Sequence, residues 1–313
     1  MTKIKDLLSE YWKVDEFRPM QEEICTSILA KKDTLALLPT GGGKSLCYQL
    51  PSLLFEGPTL VISPLISLMQ DQVAQANTKG IKSMAFNANQ SLDNQLDNAA
   101  FGRYKLLYCS PEKAQNSLFL ARLSQLNIQC IAVDEAHCIS QWGNDFRPAF
   151  RKIKSLREKL PEVPVIALTA SATPAVIIDI KEQLALDNPN EFKTSFAREN
   201  IALTIENTQD KYGCILRTFH GIKTPAIIYC SSRRETEKVN QLLNTNGIKA
   251  TYFHGGLTAQ QKQDRLFAWQ QEQKLVMVAT NAFGMGIDKG NIGLVVHLTI
   301  PASLEHYYQE IGR

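Results

Sequence analysis

The chain has 313 residues, 44% of them hydrophobic and 21% charged. At about 150 residues per domain this length yields roughly two globular domains with full cores, which excludes a disordered chain and a disulfide-stapled miniature. With 34 basic against 31 acidic residues the net charge is only +3, so a polyanionic partner has to be argued from local residues.

Short β-branched runs at residues 34–38, 59–63, 105–109, 130–134 and 165–169 predict strands. Segments of helical period lie between and after them, for example 44–55 and 174–186. Near-continuous apolar strands alternating with amphipathic helices indicate an α/β fold with a parallel sheet covered on both faces. The rhythm falters at 187–190 and 197–200, which are polar and turn-rich, and resumes with strands at 226–230, 250–253, 275–279 and 294–298. Two lobes are therefore expected, residues 1–205 and 206–313, joined near 195–210. The second is smaller and stops within a helix at Arg313, so it is expected to be incomplete. The longest uncharged run, 163–178, contains Pro164, Pro174 and several hydroxyl residues and is too short and polar for a bilayer. Seven cysteines without a C-x-x-C pair, and no leader-like N-terminus, point to reduced thiols in a soluble cytoplasmic protein with no membrane partner.

Pro39, Thr40, Gly41, Gly42, Gly43, Lys44 and Ser45 fall between the first strand and the next helix. Converging backbone N–H groups bind phosphate, and glycine lets the chain wrap closely enough to supply them. Lys44 then reaches the β- and γ-phosphates and the Ser45 hydroxyl can ligate Mg²⁺. The strict phosphate-loop pattern wants glycine where Leu38 stands, so the match is partial. Asp134 and Glu135 close the apolar strand ending at Val133, where ligands of parallel sheets bind. One carboxylate can hold Mg²⁺ while its neighbour deprotonates the attacking water. The following His137 reads as a packed or hydrogen-bonding residue. Together the two motifs indicate ATP hydrolysis.

Further segments narrow this. Phe17-Arg18-Pro19-Met20-Gln21 precedes the loop, and Leu168-Thr169-Ala170-Ser171-Ala172-Thr173 follows the carboxylates. The second lobe carries Ser231-Ser232-Arg233, His254-Gly255-Gly256-Leu257, a run from Ala279 and Thr280 to Asp288 and Lys289, and His306-Tyr307-Tyr308-Gln309-Glu310-Ile311-Gly312-Arg313. In this order they resemble the motifs of superfamily 2 helicases. Ser140-Gln141-Trp142-Gly143-Asn144-Asp145-Phe146-Arg147-Pro148 is the segment most characteristic of the RecQ family of DNA helicases.

The resemblance implies two RecA-like lobes and ATP-driven, 3′-to-5′ translocation on single-stranded DNA, with duplex unwinding in repair, recombination and replication. It assigns adenine recognition to Gln21 and Arg18, phosphate and Mg²⁺ binding to the glycine loop with Lys44 and Ser45, metal support to Asp134 and the base to Glu135. Asp288 joins the nucleotide contacts and Arg313 the catalytic set. Ser171 and Thr173 couple nucleotide state to lobe movement, and Trp142, Phe146 and Arg147 sense single-stranded DNA, where aromatic stacking is worth about 1–3 kcal/mol per base. Ser232, Arg233, His254, Thr280 and Lys289 complete the coupling and DNA set. Single-stranded and partly duplex DNA are the expected partners. Protein partners stay open, a monomer is expected, and a bacterial host would place it at the nucleoid.

Some positions depart from the family. Asn144 stands for a usual His, Gly290 for a frequent Pro, Lys13 for a usual Gly, and Val14 for the aromatic that stacks on adenine, which leaves Tyr11 or Trp12 to take that place. The family's second arginine, three positions past Arg313, is not in this sequence, so the fragment is expected to bind ATP but hydrolyse it weakly. The basic residues Arg147, Arg151, Lys152, Lys154, Arg157 and Lys159 overlie an apolar face of Phe146, Phe150, Ile153, Leu156 and Leu160. They read first as a solvated helix surface and only second as a DNA contact. An RNA helicase and a nucleotide-dependent DNA-binding module without unwinding remain as alternatives.

Overall fold

In each central strand alternate side chains feed two different cores, because successive residues of a strand point to opposite faces. In the computed structural model, which describes residues 2–88, 90–141, 146–195, 200–283 and 289–312, β1 (Thr34–Leu37) sends Leu35 and Leu37 to one core and Ala36 to the other. The same division holds in β5 (Cys130–Val133), with Ile131 and Val133 on one face and Cys130 and Ala132 on the other. Such strands carry no polar face, which is why they read as unbroken apolar runs.

The chain forms two compact units, Met1–Phe196 and Ala197–Arg313. The first holds a seven-stranded sheet that adds β2 (Thr59–Ile62), β3 (Ser83–Ala85), β4 (Leu106–Cys109), β6 (Val165–Thr169) and β7 (Asn190–Lys193). Its order is β3-β4-β2-β5-β6-β1-β7, parallel throughout. A third core, built from Ile4, Leu8, Cys25, Leu46 and Leu50, joins the helices Thr2–Trp12, Gln21–Leu29 and Leu46–Leu54. The second unit holds a parallel sheet of β8 (Ala226–Tyr229), β9 (Ala250–Phe253), β10 (Val276–Ala279) and β11 (Leu294–His297) in the order β11-β8-β10-β9. Ala226 and Ile228 face one of its cores, Ile227 and Tyr229 the other.

All the expected strands form, most of them one residue shorter than read from sequence. β3 and β7 are additional. β7 lies at a sheet edge where the sequence reading expected a turn-rich joint, and three of its four residues are exposed. The helix expected over 174–186 spans Pro174–Gln183, with Thr173 as its N-cap. The expected apolar face of the basic stretch is buried at Phe150, Ile153 and Leu156, beneath two short helices, Pro148–Arg151 and Lys154–Lys159. Arg157 pairs with Asp33 at 2.9 Å and Arg151 lies 3.9 Å from Asp179, so these two charges have partners within the chain. Among the described residues no helix is long and apolar enough to cross a membrane.

Candidate nucleotide-binding site

Parallel strands bring their carboxyl ends to one edge, and the loops leaving that edge carry the candidate residues. β1 leads into the glycine loop, β5 into Asp134 and Glu135, and β6 into Ser171 and Thr173. These strands are consecutive in the sheet as β5-β6-β1, so the loop and the carboxylates start about 10 Å apart, twice the strand spacing.

Gly41 and Gly43 take φ of 72° and 75°, and Gly42 N donates to Pro39 O at 2.9 Å. A Cβ on Gly43 would fall 2.4 Å from Gln21 Nε2, so this position needs glycine for backbone and for space. Leu46 N, Cys47 N and Tyr48 N then donate to Gly43 O, Lys44 O and Ser45 O at 3.2, 3.1 and 3.3 Å. This tight winding keeps Lys44 and Ser45 ahead of the helix Leu46–Leu54, two residues later than the expected start at 44. Ser45 is its N-cap, yet its hydroxyl makes no capping bond. Thr40 is half-buried at the loop's entry.

Arg18 and Gln21 lie directly against this loop. Arg18 Nη1 donates to Gly41 O, and Gln21 Nε2 to Gly42 O and Gly43 O, both at 3.2 Å. Gln21 Oε1 accepts from Arg18 N at 3.0 Å. Tyr11 and Trp12, the two alternatives for an adenine-stacking aromatic, pack against the core, and Lys79 Nζ sits 5.1 Å from the Trp12 ring centroid.

Asp134 and Glu135 are each 8% exposed. Asp134 N donates to Ile62 O at 2.9 Å, and Asp134 Oδ1 accepts from Glu135 N at 3.0 Å. Glu135 takes the left-handed conformation, φ 49° and ψ 47°, uncommon for a residue with a side chain. Burial first, then the Glu135 charge, push the Asp134 carboxyl up to about 7, against the pull of Lys44 and His137. The Lys44 charge favours the ionised form of Asp134, and the loop and the carboxylates leave the same edge of the sheet.

His137 is the link the sequence reading did not place there. Its Nδ1 lies 2.9 Å from Thr169 Oγ1 and 3.4 Å from Glu135 Oε2. Thr169 Oγ1 gives its proton to Ser171 O at 3.0 Å, so it accepts from His137, which fixes the imidazole proton on Nδ1. That proton also faces Glu135 Oε2, a buried oxygen with no hydrogen-bond partner among the described residues. Thr169 sits in the motif quoted from sequence, but its otherwise apolar strand gave no sign of a polar role.

Among the described residues no cluster of three or more His, Cys, Asp or Glu side chains could cage a cation alone. An uncapped hydroxyl, a buried carboxylate and an anion cradle fit the other arrangement, in which Mg²⁺ takes one or two side chains and completes its shell with phosphates and water.

The other candidates sort by position. Arg147 Nη1 donates to Pro64 O at 2.7 Å, and the half-buried Phe146 ring lies 5.2 Å from the Arg151 guanidinium. Thr173 Oγ1 accepts from Val176 N at 3.4 Å. In the second unit Ser232, His254 and Thr280 follow the ends of β8, β9 and β10, hence one sheet edge. His254 accepts from Gly256 N at Nδ1 (3.2 Å) and donates from Nε2 to Glu237 at 3.0 Å. Arg233 lies close to Gly256, where a Cβ would fall 3.0 Å from its Nη1. Lys289 is not brought to this group, for its ammonium binds Gln270 O at 3.2 Å and Glu272 Oε1 at 3.1 Å. Trp142, Asp288 and Arg313 lie outside the described residues.

Residues 18–180 match the DEAD/DEAH box helicase family and 210–313 the helicase conserved C-terminal domain. The chain is 42% identical over 315 aligned residues to the ATP-dependent DNA helicase RecQ of Bacillus subtilis, covering 99% of this chain and 53% of that protein. It is 43% identical to the Pasteurella multocida RecQ, covering 98% of this chain and 49% of that protein, and so spans about half the length of these relatives. Among solved structures, the helicase MrfA bound to DNA superposes with a TM-score of 0.80 at 20% identity, over 100% of this chain and 49% of that one. Dbp5 of S. cerevisiae bound to RNA and ADP BeF3 gives 0.76 at 18% identity, over 98% and 83%, and both likenesses establish the RecA-like fold. The chain belongs to the DEAD/DEAH box helicase family and, within it, to the RecQ helicases.

Proposed function

We propose that the chain is the ATP-driven motor of a RecQ-type DNA helicase, which moves 3′ to 5′ along single-stranded DNA and parts duplexes in repair, recombination and replication inside the cell. The observation that carries this reading is the convergence, at one sheet edge, of the glycine cradle that leads into Lys44 and the buried Asp134–Glu135 pair. Lys44 and the loop N–H groups hold the phosphates. Ser45 and Asp134 would hold Mg²⁺, which when bound would supply positive charge to the phosphate oxygens. Glu135 Oε2 takes the proton of the attacking water, and His137, anchored on Thr169, fixes its direction. Gln21 reads adenine with its carboxamide, which requires it to exchange its bonds to the loop for bonds to the base. Phe146, Arg147, Ser171, Thr173, Ser232, Arg233, His254, Thr280 and Lys289 take the DNA and coupling roles that the family resemblance gives them.

The test is ATP turnover with single-stranded DNA, with RNA and without nucleic acid, beside a strand-separation assay. DNA should stimulate turnover and RNA should not. Glu135→Gln should lose at least about 100-fold in kcat while its ATP affinity stays within about twofold. DNA binding that follows nucleotide state without strand separation would favour a binding module.

A further inference from the structure

Arg151 stands between two segments that the reading above leaves separate. On one side its guanidinium lies 5.2 Å from the Phe146 ring centroid, and Phe146 belongs to the aromatic segment 140–148. On the other its Nη2 lies 3.9 Å from Asp179 Oδ2, on the helix Pro174–Gln183 that opens at Thr173. That separation is too long for a hydrogen bond. Exposed ion pairs usually contribute little, but here Asp179 Oδ2 and Arg151 Nε are both buried without a hydrogen-bond partner among the described residues. Leaving them so costs free energy that a closed pair would recover. The backbone beneath is held in place. Phe150 shares one core with Val176, Ile177 and Ile180 of the longer helix, and Gln115 Nε2 donates to Ala149 O at 2.7 Å. Adjustment therefore falls to the half-exposed Arg151 side chain, and an advance of about 1 Å toward Asp179 completes a charge-assisted hydrogen bond.

We propose that Arg151 is a positioning residue that couples the aromatic segment to the helix behind Thr173. Without DNA its guanidinium is shared between the face of Phe146, a cation–π contact, and the carboxylate of Asp179. A base that stacks on Phe146 takes that face, and the guanidinium closes on Asp179. The helix it then grips begins at Thr173, which with Ser171 forms the motif given to nucleotide coupling. The inference rests on the DNA-helicase reading above. It assigns Arg151 to communication between DNA and nucleotide, and not to the binding of either alone.

Affinity for a short fluorescent oligo-dT is measured by anisotropy with and without a non-hydrolysable ATP analogue and Mg²⁺, so turnover is not the readout. In the parent the analogue should change DNA affinity about tenfold, the ordinary size of coupling between two sites. Arg151→Met and Asp179→Asn each keep the side chain's bulk and remove its charge. Each should bring that ratio to within about twofold of unity while affinity without nucleotide stays within about twofold of the parent. The double variant should be no worse than either single one, as for one shared interaction. Arg151→Lys keeps the charge and should restore most of the ratio, and Lys152→Met, at an exposed neighbour, should leave it unchanged. A full ratio in Arg151→Met or Asp179→Asn overturns the assignment. So does an equal loss of DNA affinity with and without nucleotide, which marks Arg151 as a plain phosphate contact, and so do additive effects of the two changes. If the parent's DNA affinity ignores the nucleotide, the helicase reading itself fails, which is a different result from a parent that couples and variants that couple equally.

Discussion

Asp134 is held in a buried setting, beside a second carboxylate, that disfavours its charged form in the ligand-free fold. Burial and the adjacent Glu135 raise its pKa from the ordinary 3.8 to about 7. The native state then keeps a proton that the unfolded chain releases, so its contribution to stability is full below about pH 4, is lost as pH rises toward 7, and changes little above that. Asp134→Asn keeps the shape and removes the charge. Without ligand the variant should be about 1–3 kcal/mol more stable at pH 8 and indistinguishable from the parent near pH 4. Urea unfolding at the two pH values measures the difference, and a gain independent of pH would contradict the burial argument. The same variant should lose Mg²⁺-dependent nucleotide binding. Glu135 adds a second cost, since its left-handed backbone aims the carboxylate at His137 where a relaxed turn would not.

At the scale of elements, helix ends and strand starts decide where the site residues stand. The helix Thr2–Trp12 closes on Lys13 at φ 58°, with Lys13 N bonded to Ser9 O at 3.2 Å, a left-handed end that glycine takes without strain. Lys13→Gly should therefore stabilise the protein by about 1 kcal/mol in a thermal or urea melt. At the opposite sheet edge from the nucleotide site, Asp33 accepts from Val165 N and Asp187 N at 2.8 Å and from Arg157 Nη2 at 2.9 Å, which clamps β1, β6 and the approach to β7. Asp33→Ala leaves the half-buried Arg157 guanidinium without its counter-charge, bonded only to Val163 O, and two N–H groups without partners, and should cost about 2–4 kcal/mol, while nucleotide affinity at low temperature stays as in the parent. The apolar central strands and the Gly-Lys-Ser and Asp-Glu motifs were legible in the sequence because burial on both faces and phosphate chemistry each demand particular residue types. β7 was not legible, since an exposed edge strand of Asn, Glu, Phe and Lys carries no apolar signal. Nor was the tie from Glu135 through His137 to Thr169, or the attachment of Lys289 to Glu272, because such pairings arise from packing between segments distant in sequence.

For the whole molecule, each unit carries its own cores on two sheet faces. Leu37, Leu60 and Ile131 lie in one core of the first unit and Ala36, Val61 and Ala132 in another, while Ile228, Val278 and Val239 form a core of the second. A unit with a closed core can unfold as a unit of its own. Calorimetry should therefore resolve two transitions. Lys44, Ser45, Asp134 and Glu135 all belong to Met1–Phe196, so an ATP analogue with Mg²⁺ at about 100 times its Kd should stabilise that unit by about 2.7 kcal/mol. For a unit of this size the gain is roughly 5–10 °C in Tm. Residues 1–205 expressed alone should fold, keep that transition and bind the analogue, because the cradle, the carboxylates and all the strands that position them lie within that span. If the isolated segment folds and fails to bind, those side chains do not suffice for nucleotide. If only a single transition is seen in the full chain, the units unfold as one and the division between Met1–Phe196 and Ala197–Arg313 has no thermodynamic meaning.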